Sequence, residues 1–171
     1  AILTVSDLAT TLPDVQSDLA TVIEQSVRSV EQSVLPVEQA LLSAPHLRDC
    51  ISKANCQQLL AQKVDVEYIL HASLRRGEKG DGQLLKLTVR HRDIADPAAA
   101  IETKCPRCSP AEVVNLLGRT LPSLLTGALK RKSSTLSVTT QPVSAEVLSG
   151  KTRLGMTPLR RQLWADPVQL T

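Results

Sequence analysis

The sequence predicts an α/β (α+β) fold: a mixed sheet with about three helices on it, followed by a small all-β module. Three observations carry this. Helical apolar spacing and strict alternation succeed each other along residues 1–130 in the order β–α–(β)–α–β–β–β–α. Helical spacing stops after Leu129 and gives way to short strand-like runs. The charge balance also changes there: residues 1–129 hold 13 Lys/Arg against 15 Asp/Glu, and residues 130–171 hold 7 against 2. The break at Lys130-Arg131-Lys132-Ser133-Ser134 reads as a domain boundary or linker, and the basic stretch itself as a solvated surface.

Each element has a local reason. The chain opens with Ile2-Leu3-Thr4-Val5, a strand over about 1–6. Thr11-Leu12-Pro13-Asp14 is an acceptable helix start, and Val15, Leu19, Val22, Val27, Val30 and Val34 form a stripe that Pro36 should end. Val37 to Leu42 is a candidate second strand, and a helix is expected from about Ser52 to Lys63, with Ala54, Leu59 and Leu60 inward. In the meander that follows, Val66, Tyr68, Leu70, Ala72 and Leu74 alternate with Glu67, Ile69, His71, Ser73 and Arg75. A Gly-rich turn over 77–82, a strand over 85–91, a turn at Ala95-Asp96-Pro97 and a strand from Ala98 to Lys104 complete it. Ser109-Pro110-Ala111-Glu112 is the best helix start in the chain: Ser at the N-cap, Pro at the first helical position and Glu at N3. That helix should reach about Leu129, with Pro122 placed to kink it. From Thr135 onward the reading is short strands, with turns at Gln141-Pro142 and Ser149-Gly150.

Composition narrows the function. At 171 residues, 42% hydrophobic and 22% charged, the chain is globular, with length for one domain or two small ones. No run of about 18 apolar residues is present, so no transmembrane segment is expected. Tyr68 and Trp164 are the only aromatics, which removes the stacking platforms of single-strand nucleic-acid binders. A formal charge of +3 is too mild to imply nucleic acid as a partner. The chain starts at Ala1, already in a strand-like run, and reads as a piece of a longer protein, so a missing export signal is uninformative.

The four cysteines fall into two close pairs, Cys50 with Cys56 and Cys105 with Cys108. Local disulfides in an oxidising compartment are one reading. Within one helix the six-residue separation of Cys50 and Cys56 would span about 9 Å, beyond the roughly 7 Å between Cα atoms that a disulfide tolerates. The helix must therefore start after Cys50, which a cap at Ser52 would allow. A four-thiolate zinc site is a second reading, although five residues between the first two cysteines exceed the usual ligand spacing. Redox chemistry at Cys105-Pro106-Arg107-Cys108 is a third, weakened because both thiols precede the Ser109 cap. Free thiols are the remaining one. Structural disulfides are the favoured reading.

The other motifs are weaker. Ala145-Glu146-Val147-Leu148-Ser149-Gly150-Lys151-Thr152 is a loosened phosphate-loop pattern, but no helix follows it, and a hairpin explains it as well. His46 falls in a loop, and His71 and His91 face opposite ways by strand parity, so the histidines form no catalytic set. The polar face of the meander is more informative. Arg75, Lys86, Arg90, Arg92 and Lys104 share it with His71, Ser73, Thr88, Glu67 and Glu102. A basic sheet face suits an acidic protein or an anionic polymer, and an ordinary half-solvated face has the same pattern. Trp164 is expected to anchor the core of the small module.

Two resemblances follow from these residues. The run from Leu136 to Val147, then Gly150, then Gly155-Met156-Thr157-Pro158-Leu159, resembles a PEGA domain, with Pro-Val-Ser-Ala where the family has Pro-Glu-Gly-Ala. The match covers 134–171 and stops before the family's later Gly and Tyr signals. Residues before it more loosely resemble the amino-terminal α/β domain of TolB and its curli-secretion (CsgG-like) relatives. That likeness rests on Ser6-Asp7-Leu8 after the first strand, the element order and the cysteine placement. It implies a TolB-like domain over 1–132 and an incomplete PEGA-like domain over 133–171.

These resemblances imply a non-enzymatic interaction or scaffold module of an exported bacterial envelope protein, periplasmic or at the cell surface. It would bind protein or envelope polymer, in a sensor or lipoprotein, with no catalytic residue, cofactor or metal. The candidate binding face is His71, Arg75, Lys86, Arg90, Arg92 and Lys104. The alternatives are an intracellular zinc- or nucleotide-binding regulatory domain and a thiol oxidoreductase.

Overall fold

The computed structural model describes residues 1–8, 12–76, 83–105, 109–141, 144–149 and 151–165. The chain divides into two compact units, Ala1–Lys130 and Arg131–Thr171, and the division falls inside the Lys130-Arg131-Lys132 run. The expected Gly-rich turn over 77–82, Pro106, Arg107, Cys108, Pro142, Gly150 and the last six residues lie outside the described residues.

The first unit is a five-stranded mixed sheet with helices on it, as its sequence predicts. Its elements are β1 (Ile2–Ser6), α1 (Gln16–Arg28), β2 (Val34–Pro36), α2 (Val37–Leu41), α3 (Ala54–Lys63), β3 (Tyr68–Arg76), β4 (Gln83–His91), β5 (Pro97–Cys105) and α4 (Pro110–Lys130). The sheet order is β2-β1-β3-β4-β5; β1 runs parallel to β2 and β3, and β3, β4 and β5 are antiparallel.

Ile2, Leu70, Ala72, Leu85, Leu87 and Val89 share one face by register and are buried. α4 packs on β4 and β5 and against α1, burying Val113, Leu117, Leu121, Leu125 and Ala128. The two helices meet closely at Gly118, where a Cβ would make ordinary contact with Val22 Cγ1 at 3.8 Å. The expected capping box is present, with Ser109 N–H donating to Glu112 Oε2 (3.0 Å) and Glu112 N–H to Ser109 Oγ (3.3 Å). The helix runs on through Pro122.

On the other face Leu3, Val5 and Ile69 pack under Val37, Ala40 and Leu41 of α2, Leu47, and Leu60 and Ala61 of α3. A disulfide joins Cys50, at the end of the 3-10 helix Pro45–Cys50, to Cys56 in the first turn of α3, with Cα atoms 5.9 Å apart. It therefore clips together two pieces of this helical cover.

Several local expectations are corrected. The first long helix stops at Arg28, eight residues before Pro36. Glu31 takes a left-handed conformation (φ 59°), and Gln32 N–H closes onto Val27 O at 3.2 Å, a helix-ending motif. The second strand is Val34–Pro36 beside β1, whereas Val37–Leu41, expected as that strand, is helix α2. The N-cap of α3 is Lys53, with no side-chain hydrogen bond, in place of Ser52. Leu59 points outward, because α3 buries Cys56, Gln57, Leu60 and Ala61. His46 lies in the 3-10 helix and is exposed.

The second unit contains β6 (Ser133–Val138) paired antiparallel with β9 (Leu159–Trp164), and a hairpin of β7 (Glu146–Ser149) and β8 (Thr152–Met156). A strand follows Lys151 where a phosphate loop needs a helix. Trp164 is buried, with the Arg131 guanidinium 5.0 Å from its ring centre. Thr157, also buried, stitches the irregular segment: its N–H donates to Ala145 O (2.8 Å) and its Oγ1 accepts from Ala145 N–H (3.0 Å). Gly155 has φ 153°, and a Cβ there would come within 2.9 Å of Leu159 Cδ1. The backbone conformation is what favours glycine here, since the Leu159 side-chain tip could shift.

Candidate functional site

The register of β3, β4 and β5 brings most of the expected basic residues onto one face. His71 lies opposite Thr88, which lies opposite Ala100; Ser73 opposite Lys86 opposite Glu102; Arg75 opposite Leu84 opposite Lys104. This is the face that α2 and α3 cover over β1 and the start of β3. Beyond Ile69 the cover ends: Arg75, Ala100, Glu102 and Lys104 are exposed, and Leu84, Lys86 and Arg90 are half-buried.

Small polar side chains form the floor. Ser73 and Thr88 are each only 3% exposed, although they lie past the residues of this face that pack under α2 and α3. Ser73 Oγ finds no hydrogen-bond partner. Lys86 Nζ lies 3.7 Å from Glu102 Oε2, a cross-strand ion pair. Arg75 and Lys104 have no ion-pair partner among the described residues and are the open cations of the face.

His71 sits where the closed and open parts of this face meet. Its Nε2 lies 3.4 Å from Asp7 Oδ2, too long for a good hydrogen bond and an ion pair only when the ring is protonated. Asp7 is delivered by the end of β1, where its N–H donates to Ala72 O at 3.0 Å. Burial holds the imidazole below its ordinary value; Asp7 opposes that shift, and Arg75 and Arg90 add to it.

Arg92 departs from the expected face. It lies past the end of β4, where its guanidinium reaches Asp65 Oδ1 at 2.6 Å and Asp93 Oδ2 at 3.4 Å. Strand parity stops applying there because β4 ends at His91 and the chain then turns; the bulge in the β4–β5 ladder, at Ala98, lies on β5. Arg90 remains on the face, opposite Ile69, but donates to Ala95 O at 2.9 Å and so holds that turn. His91 faces the other way, edge-on to Tyr68 with ring centres 5.4 Å apart.

Of the cysteines, Cys50 and Cys56 are bonded to each other and cannot serve as thiolate ligands in this state. Cys105 is also disulfide-bonded, while Cys108, the partner expected for it, lies outside the described residues. No helix among the described residues is long and apolar enough to cross a membrane.

Sequence reasoning missed a concavity elsewhere in the first unit. At the carboxyl ends of β1 and β2, a groove of about 320 Å³ opens between these strands and α1. Thr4, Ser6, Gln16, Glu24 and Glu38 supply its polar rim. The available signal was the strand–helix–strand order with small polar residues closing the first strand, since parallel strands leave crevices past their carboxyl ends. No family model, curated protein or solved structure matches the chain.

Proposed function

We propose that this chain is a non-catalytic interaction module of a bacterial envelope protein, acting outside the cytoplasm. Its open basic sheet face would take an anionic partner, protein or envelope polymer. One observation carries the reading: Arg75 and Lys104 are exposed, with no ion-pair partner among the described residues, on a sheet face whose floor is closed by Ser73 and Thr88. A rigid sheet presents these charges at fixed spacing, which gives selectivity for a complementary surface.

The Cys50–Cys56 disulfide supports that compartment, since disulfides persist in oxidising surroundings. The resemblance of 1–132 to the TolB amino-terminal domain and of 133–171 to an incomplete PEGA domain supports the same setting, periplasmic or cell-surface.

The test uses poly-glutamate and polygalacturonate as stand-ins for an acidic protein segment and an acidic polymer. The chain should bind at least one of them, more weakly as salt rises. The double variant Arg75→Glu/Lys104→Glu should lose about tenfold in affinity or more. Lys53→Glu, exposed at the start of α3, should leave binding unchanged. No binding to either polymer, or equal binding by the double variant, would overturn the proposal.

A further inference from the structure

The chain leaves the carboxyl ends of β1 and β2 in opposite directions: toward α1 over one face of the sheet, and directly into α2 on the other. Two parallel neighbours whose connections part in this way create a crevice beyond their ends, a recurrent position for ligands in such sheets. The groove of about 320 Å³ lies there and is large enough for one small molecule.

Its lining has a definite chemistry. Leu19 and Ile23 of α1, with Val37, form an apolar floor. Thr4 donates its hydroxyl proton to Leu35 O at 3.4 Å, which leaves its oxygen lone pairs free to accept. The only charged groups among the described lining residues are Glu24 and Glu38, although the chain as a whole is cationic. Glu24 is shared with Arg28 at 2.6 Å, whereas Glu38 is exposed and has no ion-pair partner among the described residues.

We propose that this groove binds a small amphiphilic amine. The ammonium group sits against Glu38 and the hydroxyl of Thr4, and the hydrocarbon body covers Leu19, Ile23 and Val37. The site is independent of the basic sheet face: it is lined by other residues and selects the opposite charge.

Titration calorimetry with three ligands sharing one body tests this: 4-phenylbutylamine, 4-phenylbutan-1-ol and 4-phenylbutyrate. The amine should bind with a dissociation constant of about 1 mM or tighter, the alcohol several-fold more weakly, and the carboxylate weakest. Glu38→Gln should weaken the amine about fivefold while leaving the alcohol unchanged. Ala20→Leu fills the groove from an exposed helical position and should abolish binding of all three, with far-UV circular dichroism confirming the fold. Three results would overturn the proposal: no amine binding, carboxylate binding as tight as the amine, or amine affinity unchanged in both variants.

Discussion

The two faces of the sheet are built from the same strands yet finished differently. Under α1 and α4 the centre of the face is apolar, from Ile2 through Leu70 to Leu85, Leu87 and Val89, with Thr4 and Ser6 as polar positions on β1. The opposite face is apolar only beneath α2 and α3; along β3 it changes from buried Ile69 to His71, Ser73 and Arg75. The cause is the length of the cover. α4 has 21 residues, while α2 has 5 and α3 has 10, so the second layer ends before the nine-residue strands do. A sheet that outruns its helices exposes a flat, rigid, polar area, and there the open cations lie.

The largest test of this contrast is Leu117→Ala on α4, fully buried against the closed face. It should cost about 3 kcal/mol in urea denaturation, from lost burial and the cavity left behind. Next is the clip under the short cover. Cys50→Ser/Cys56→Ser should destabilise by about 2 kcal/mol, because the loop it closes is short. A loss below about 0.5 kcal/mol would mean that α2 and α3 hold without it. Ser109→Ala, which opens the capping box of α4, should cost about 1 kcal/mol in the same assay.

His71 sharpens the comparison through pH. Its folded pKa lies below its ordinary value of 6.5, so the unfolded chain binds the proton more readily. Its contribution is intact above about pH 6.5 and is lost as pH falls from there through the lowered folded value. His71→Gln should therefore flatten the decline in stability between pH 7.5 and 5, measured by urea midpoints; identical slopes would refute it. The smallest effect belongs to the open region: Arg75→Ala and Lys104→Ala should each change stability by less than about 0.5 kcal/mol.

Much of this was legible in the sequence. Alternation marked β3, β4 and β5, Ser109 and Glu112 marked the start of α4, and the close spacing of Cys50 and Cys56 marked a local disulfide. The basic face followed from parity, as it does for His71, Arg75, Lys86, Arg90 and Lys104. Arg92 escaped because β4 ends at His91 and the turn that follows ends the alternation that placed it. The swap of strand and helix around Pro36 escaped because Val30 and Val34 continue a helical stripe. That stripe is broken by Glu31 in a left-handed conformation which a glutamate does not advertise.

The sequence by itself determined the elements whose signals are local: alternating strands, a capped amphipathic helix, a change of charge at the unit boundary and a disulfide within reach of its own chain. Only the tertiary structure decided which polar residues stand open and which are tied. It also decided where α1 and α2 part to leave the groove of Thr4, Ser6 and Glu38. The reason is range. Capping, alternation and short loops act over a few residues, whereas exposure and concavity depend on how far one layer extends over another, and no single segment carries that information.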